Sequence, residues 1–180
     1  MSRINPINQE NADPKALEIV ATVKKALGIV PNMVATMAQS PAVANAYVGF
    51  NHALSQGSLS AKSRERIALV VAEENSCGYC LAAHTFLGGK AGLSEQEILE
   101  NRRGASDEPK VAAALTFARK LVQSRGQVTD ADVAALREYG FSEGEVAEII
   151  ANVVLNIFTN YFNIAAGVDI DFPKAPALTA

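Results

Sequence analysis

Tryptophan is absent from the 180 residues, aromatic residues make up only 6%, and there are just two cysteines and two histidines. Such sparse aromatic residues, with few β-branched runs, argue against a protein built from sheets. Two cysteines cannot supply the disulfide framework that staples small secreted domains, so a pair of special thiols is the expectation. Lys and Arg number 16 against 19 Asp and Glu, a net charge of −3. With no basic excess to meet a phosphate backbone, nucleic acid is not an expected partner. No apolar run approaches the ~18 to 20 residues of a membrane span. The opening Met1-Ser-Arg-Ile-Asn-Pro lacks a hydrophobic stretch of the secretory type. A soluble, cytoplasmic chain without a membrane partner is therefore expected.

Alanine is what the chain has in abundance, 31 residues, and alanine carries the lowest cost in a helix. Start and stop signals agree with that bias. Asp13-Pro14 opens a helix that Gly28 closes, and Ser40-Pro41 opens another, running to about Gln56. Ser60 precedes a mostly apolar helix from Ala61 to Glu74, and a break at Asn75-Ser76 leads into Cys77 to about Lys90. Ser94 with Glu97 forms a capping box, and further helices are expected over 108–125, 130–139 and 142–166. Gly92-Leu-Ser-Glu-Gln-Glu-Ile echoes Gly140-Phe-Ser-Glu-Gly-Glu-Val. Two helix starts converging on one capping chemistry explain this echo more simply than duplication. The expectation is an all-α, single-domain helical bundle over residues 1–180, with a core of about 14–168 and an extended tail over 169–180.

Chemistry concentrates in Cys77-Gly-Tyr-Cys80-Leu-Ala-Ala-His84. If Ser76 caps this helix, both sulfurs lie in its first turn, where unpaired N–H groups favour a thiolate. Cysteines at i and i+3 on a helix are within disulfide range, about 5 Å between Cα atoms. Positions 77, 80 and 84 fall within a sector of about 60° at 3.6 residues per turn, so the imidazole is placed to take a proton from Cys80. Glu65 lies about as far before the break as His84 lies after it. A fold-back there would put the carboxylate level with the ring, to fix its tautomer; without one, Glu65, flanked by Arg64 and Arg66, is one charge on a solvated face. Zinc is disfavoured because Cys77 and His84 are roughly 10 Å apart along a helix. The sequence Cys-x-x-Cys-His of haem attachment is not present either. No metal or cofactor is expected. A redox pair is the favoured reading, with plain burial as the alternative.

The final helix carries Asn152, Asn156, Asn160 and Asn163 as one stripe on an otherwise apolar element. Buried amides must find partners. Ordinary bonding to backbone is favoured over a polar wall of the site or a subunit interface. His52 reads as a surface or packing residue, and Met33 and Met37 as core filler.

The order Glu65, Cys77, Cys80, His84 resembles the alkyl hydroperoxidase D (AhpD)-like branch of the carboxymuconolactone decarboxylase superfamily, of its peroxidase-related type. Leu27-Gly-Ile-Val-Pro-Asn-Met and Thr159-Asn-Tyr-Phe-Asn extend the resemblance over most of the chain. It implies an all-helical fold, self-association as a trimer or hexamer, and thiol-dependent peroxidase or disulfide reductase activity. Carried over, Cys80 is the peroxidatic thiolate and Cys77 the more exposed resolving partner. His84 is the base and Glu65 its orienting acid. The substrate is a hydroperoxide and the reductant an external dithiol. Family peroxidases place a second histidine where this chain has Tyr79, a poor base with a phenol pKa near 10. The alternatives are decarboxylase-type chemistry on a small lactone acid and a non-enzymatic oligomeric redox sensor.

Overall fold

The computed structural model describes residues 2–178, and all regular structure among them is helical. In chain order the elements are α1 (Pro14–Leu27), α2 (Asn32–Met37), α3 (Pro41–Ser55), α4 (Ala61–Glu74) and α5 (Gly78–Lys90). They are followed by α6 (Glu95–Arg102), α7 (Pro109–Gln123), α8 (Asp130–Glu138) and α9 (Glu143–Ala166). Several caps behave as the sequence chemistry dictates, whereas Ser40 precedes α3 without a side-chain cap bond. Asp13 accepts the Lys15 N–H at 2.7 Å, and Gly28 closes α1 at φ 79°, a left-handed conformation glycine adopts without a Cβ penalty. Capping boxes start α6 and α9, and a third, Thr129 with Asp132, starts α8. The six-residue α2 is an addition: it follows Pro31 with no side-chain cap, so the local pattern does not announce it.

α4 is the hub. Every residue from Arg66 to Ala72 is buried, as expected of a helix enclosed on all sides. Its neighbours are α5, α6, α7 and α9. Ala72 joins the cluster that holds both cysteines, Val34, Met37 and Ala166. Ile67, Val70 and Val71 join a second cluster with Leu115, Leu136 and Ile149. Leu69 completes a third with Leu93 and Ile98. Two buried cations anchor the rim. Arg66 donates to Glu97 at 2.8 Å and to Glu108 at 2.7 Å, and Arg102 donates to Glu73 at 2.7 Å. Burying these guanidiniums is tolerable because each is paired.

By length and composition α9 could cross a bilayer, contrary to the expectation that no segment approaches that length. Half of its apolar window is buried inside the fold, packed on α3, α4, α5 and α7. The four asparagines hid this length by interrupting the apolar run.

The tail from Asp169 is extended but tied down. The Asn32 N–H donates to Asp171 at 2.7 Å, Asn32 Nδ2 donates to the Asp169 carbonyl, and Arg102 holds the Pro176 carbonyl. Residues 179 and 180 of the expected tail, and Met1, lie outside the described residues.

Several acids stay ionised far below their ordinary range. Glu97 is held at about 2, chiefly because the Ser94 N–H donates to it, with Lys62 and Arg66 adding. Asp132 is also lowered to about 2, first by Lys120 and then by the Thr129 N–H. Folded values below the ordinary 4.5 and 3.8 contribute stability that is complete above those values and lost as pH falls towards 2. Thermal unfolding midpoints should therefore drop progressively between about pH 5 and pH 2. A midpoint unchanged down to about pH 2.5 would contradict this account.

Candidate active site

The turn between α4 and α5 positions the sulfurs. Ser76 sits in the left-handed region at φ 53°, and the Cys77 N–H closes on the Ala72 carbonyl at 3.0 Å. Ser76 is thus the hinge of the turn and not the cap, one residue away from the sequence expectation. Cys77 itself caps α5: its sulfur accepts the Cys80 N–H at 3.2 Å. Cys77 and Cys80 form a disulfide, with Cα atoms 5.3 Å apart.

The fold-back of α5 on α4 brings Glu65 to His84. Glu65 Oε2 and His84 Nδ1 are 2.8 Å apart, both partly buried. With a carboxylate on Nδ1 the ring proton sits there, leaving the Nε2 lone pair as the basic site. Cys80 and His84, one helical turn apart, line a common cavity of about 780 Å³ with Glu65. No hydrogen bond joins His84 to the Cys80 sulfur, which as a disulfide has no proton to give. Cys77 does not line this cavity. At 1% exposure it is as buried as Cys80 at 2%, so the expectation of a more exposed Cys77 is corrected. The cap geometry is the reason, since it turns the Cys77 sulfur inward over the first turn of α5.

The sulfur has a partner that local spacing does not predict. Asn163, 3% exposed, donates its Nδ2 to Cys80 Sγ and to Met33 Sδ, both at 3.3 Å. Its carbonyl oxygen is buried without a partner. The asparagine stripe thus divides. Asn152 and Asn156 bond backwards to the carbonyls of Glu148 and Asn152, as ordinary helix amides do. Asn160 accepts from Asn75, and Asn163 reaches the sulfur. Asn152, Asn156 and Asn163 also line the cavity, as does the exposed His52. The stripe was the available signal, but only the fold pairs Asn163 with Cys80.

Tyr79 accepts the Met33 N–H at 3.2 Å and packs edge-on against Phe172 from the tail. Burial drives its phenol well above the ordinary 10.0, against a lowering by the Met33 N–H and with the Asp171 carboxylate adding to the rise. Tyr79 is therefore a neutral wall and not a base. Tyr47, across the cavity, is pushed up to about 12 by burial, with Glu65 adding.

Residues 41–124, which hold Glu65, both cysteines and His84, match the carboxymuconolactone decarboxylase family. An AhpD-core, peroxidase-related protein of Ralstonia eutropha superposes with a TM-score of 0.83 at 27% identity. The match covers 94% of this chain and 92% of that one. In fold and motif the chain is similar to the AhpD-like branch of that superfamily. A second peroxidase-related protein, from a Silicibacter species, gives 0.77 at 27% identity over 92% and 91% of the two chains. The debrominase Bmp8, bound to 2,3,4-tribromopyrrole, shares the AhpD-like fold at 0.80 and 22% identity over 93% and 91%. No curated protein matches the sequence.

In this AhpD-like setting a hydrogen bond to an ionised sulfur is worth roughly 1.5–3 kcal/mol, and a tenfold change in the ionisation constant corresponds to about 1.4 kcal/mol. Asn163→Leu should therefore raise the midpoint of iodoacetamide alkylation at reduced Cys80 by about one on the pH scale. A midpoint that stays put would remove Asn163 from any role in holding the thiolate.

Proposed function

We propose that the chain is an enzyme that reduces organic hydroperoxides through the Cys77–Cys80 couple, with an external dithiol as the electron source. One observation carries the reading: a redox-competent sulfur and a carboxylate-backed imidazole line the same cavity. In the reduced form His84 takes the Cys80 proton, and the thiolate attacks the terminal peroxide oxygen. The O–O bond breaks and the alkoxide leaves as the alcohol with a proton from the imidazolium. Cys80 becomes a sulfenic acid. The Cys77 thiol condenses with it, releasing water and closing the disulfide. One hydroperoxide and two thiols thus give one alcohol, one water and one disulfide. The Asn163 amide is placed to stabilise the thiolate at the start and again on reduction.

Reduction is proposed to begin at Cys80, because that sulfur and not Cys77 lines the cavity. Cys77 then leaves as a thiolate at the N-terminus of α5, where the helix dipole favours negative charge. The reading includes self-association as a trimer or hexamer, supported by Ile150, Val154, Tyr161 and Ile164, exposed along one side of α9.

The deciding experiment titrates free thiols of the reduced protein before and after one equivalent of cumene hydroperoxide. Loss of both thiols in the wild type supports the proposal, and two accessible thiols that survive would defeat it. Lactone decarboxylation would leave the thiols untouched and persist in the double serine variant. A sensor would change oligomer size while consuming peroxide only at the background rate. Thiol loss driven by a bromopyrrole but not by a hydroperoxide would move the same two-electron couple to reductive debromination.

A further inference from the structure

The cavity is uneven in its charge. Its volume of about 780 Å³ falls within the roughly 300–1,000 Å³ that buries a ligand with a sizeable organic body. Among the described lining residues, Glu65 is the sole carboxylate, and His84 already engages it. The lining cations, by contrast, are unmatched. Lys62, Arg66, Arg102, Lys110, Arg119, Lys120 and Arg137 all pair with carboxylates elsewhere in the fold. Arg64 and Lys90 line the cavity, and neither pairs with a carboxylate among the described residues. Arg64 gives one N–H to the Leu59 carbonyl, and the Lys90 ammonium rests 4.5 Å from the centre of the Phe86 ring. In a chain where acids outnumber bases 19 to 16, a cavity with two spare cations is a local reversal of charge.

The two kinds of chemistry are also separated in space. Cys80, Ala83, His84, Leu87 and Lys90 line the cavity from α5, at spacings that share one helical face. Cys80 and Lys90 are ten residues apart, roughly 15 Å along the axis. The same lining includes Val48, Leu87 and Leu155, apolar side chains from three helices.

We infer that the substrate is an amphipathic carboxylic-acid hydroperoxide. Its carboxylate meets Lys90 and Arg64, its apolar chain lies along the cavity, and its peroxide end reaches Cys80. The inference rests on the peroxidase reading above and adds the class of molecule. The reaction stays balanced as before, with the acid hydroperoxide leaving as the hydroxy acid and its carboxylate unchanged.

The test compares linoleic acid hydroperoxide with its methyl ester, and adds an alkylation assay with unreactive laurate. The acid should show a KM lower than the ester's by about tenfold or more, the scale of one charge-assisted contact. Lys90→Glu, an exposed change that spares the core, should bring the acid-to-ester ratio close to one. Arg64→Gln should do the same in part. Laurate, but not methyl laurate, should slow iodoacetamide alkylation of reduced Cys80. Equal KM values for acid and ester, with no protection by laurate, would overturn the inference while the peroxidase reading stood on turnover of both. Protection by laurate with no hydroperoxide consumed would overturn the peroxidase reading and the hydroperoxide substrate with it. A carboxylate-binding cavity would then remain.

Discussion

Cys80→Ser is expected to lose hydroperoxide turnover by on the order of 10⁴-fold or more, the scale seen when a nucleophile is removed from a concerted site. A serine hydroxyl is scarcely ionised at neutral pH and cannot pass through a sulfenic acid. Its volume is close to that of the thiol, so the packing of the first turn of α5 should survive. Cys77→Ser should behave differently. It leaves the attacking sulfur in place, so one equivalent of hydroperoxide is consumed in a burst and turnover then stops. The stalled sulfenic acid should be trapped by dimedone, seen as a mass adduct on the peptide that contains Cys80. A Cys80→Ser protein that keeps turning over, or a Cys77→Ser protein with the adduct missing and turnover intact, would reverse or abolish the assignment of the two sulfurs.

The second large effect belongs to the base. His84→Ala should reduce kcat by about 10²- to 10⁴-fold, the range for a single general base. Added imidazole should restore part of the rate, because the cavity beside Cys80 is large enough to admit it. Glu65 acts one step back, through the ring at 2.8 Å. Glu65→Gln should lower kcat by about tenfold and leave KM unchanged, as expected of a partner that orients the ring without touching substrate. A Glu65 whose role was only to hold α4 against α5 would instead lower the unfolding midpoint and move both constants together. Loss of thiols at equal rates with and without His84 would take the imidazole out of the chemistry.

The helices and the Glu65–His84 contact were legible for a shared reason: each depends on spacing along a short stretch of chain. Asp13-Pro14, Ser94 with Glu97 and Ser142 with Glu145 are local capping signals, and the structure places helix starts at each. Equal arm lengths about the break near Asn75 bring carboxylate and imidazole to one level once α5 folds back on α4, a step the spacing alone does not dictate. What escaped requires contacts between distant segments. Asn163 meets Cys80 across 83 residues, and Tyr79 meets Phe172 only because the tail returns over α5. No periodicity encodes either meeting. Cys77 is buried where the resemblance implies exposure, because a sulfur used as a helix cap turns inward and a motif does not reveal which residue serves as the cap.

That cap has a bearing on how the thiols should be probed. The Cys77 sulfur accepts the Cys80 N–H, so the same atom that carries electrons also finishes the helix. Alanine at this position would delete both duties at once, and removing an N-cap acceptor alone costs about 1 kcal/mol. An alanine scan would then confuse a frayed helix end with a lost redox partner. Serine retains an acceptor oxygen where the backbone needs one, and so isolates the electron chemistry from the architecture.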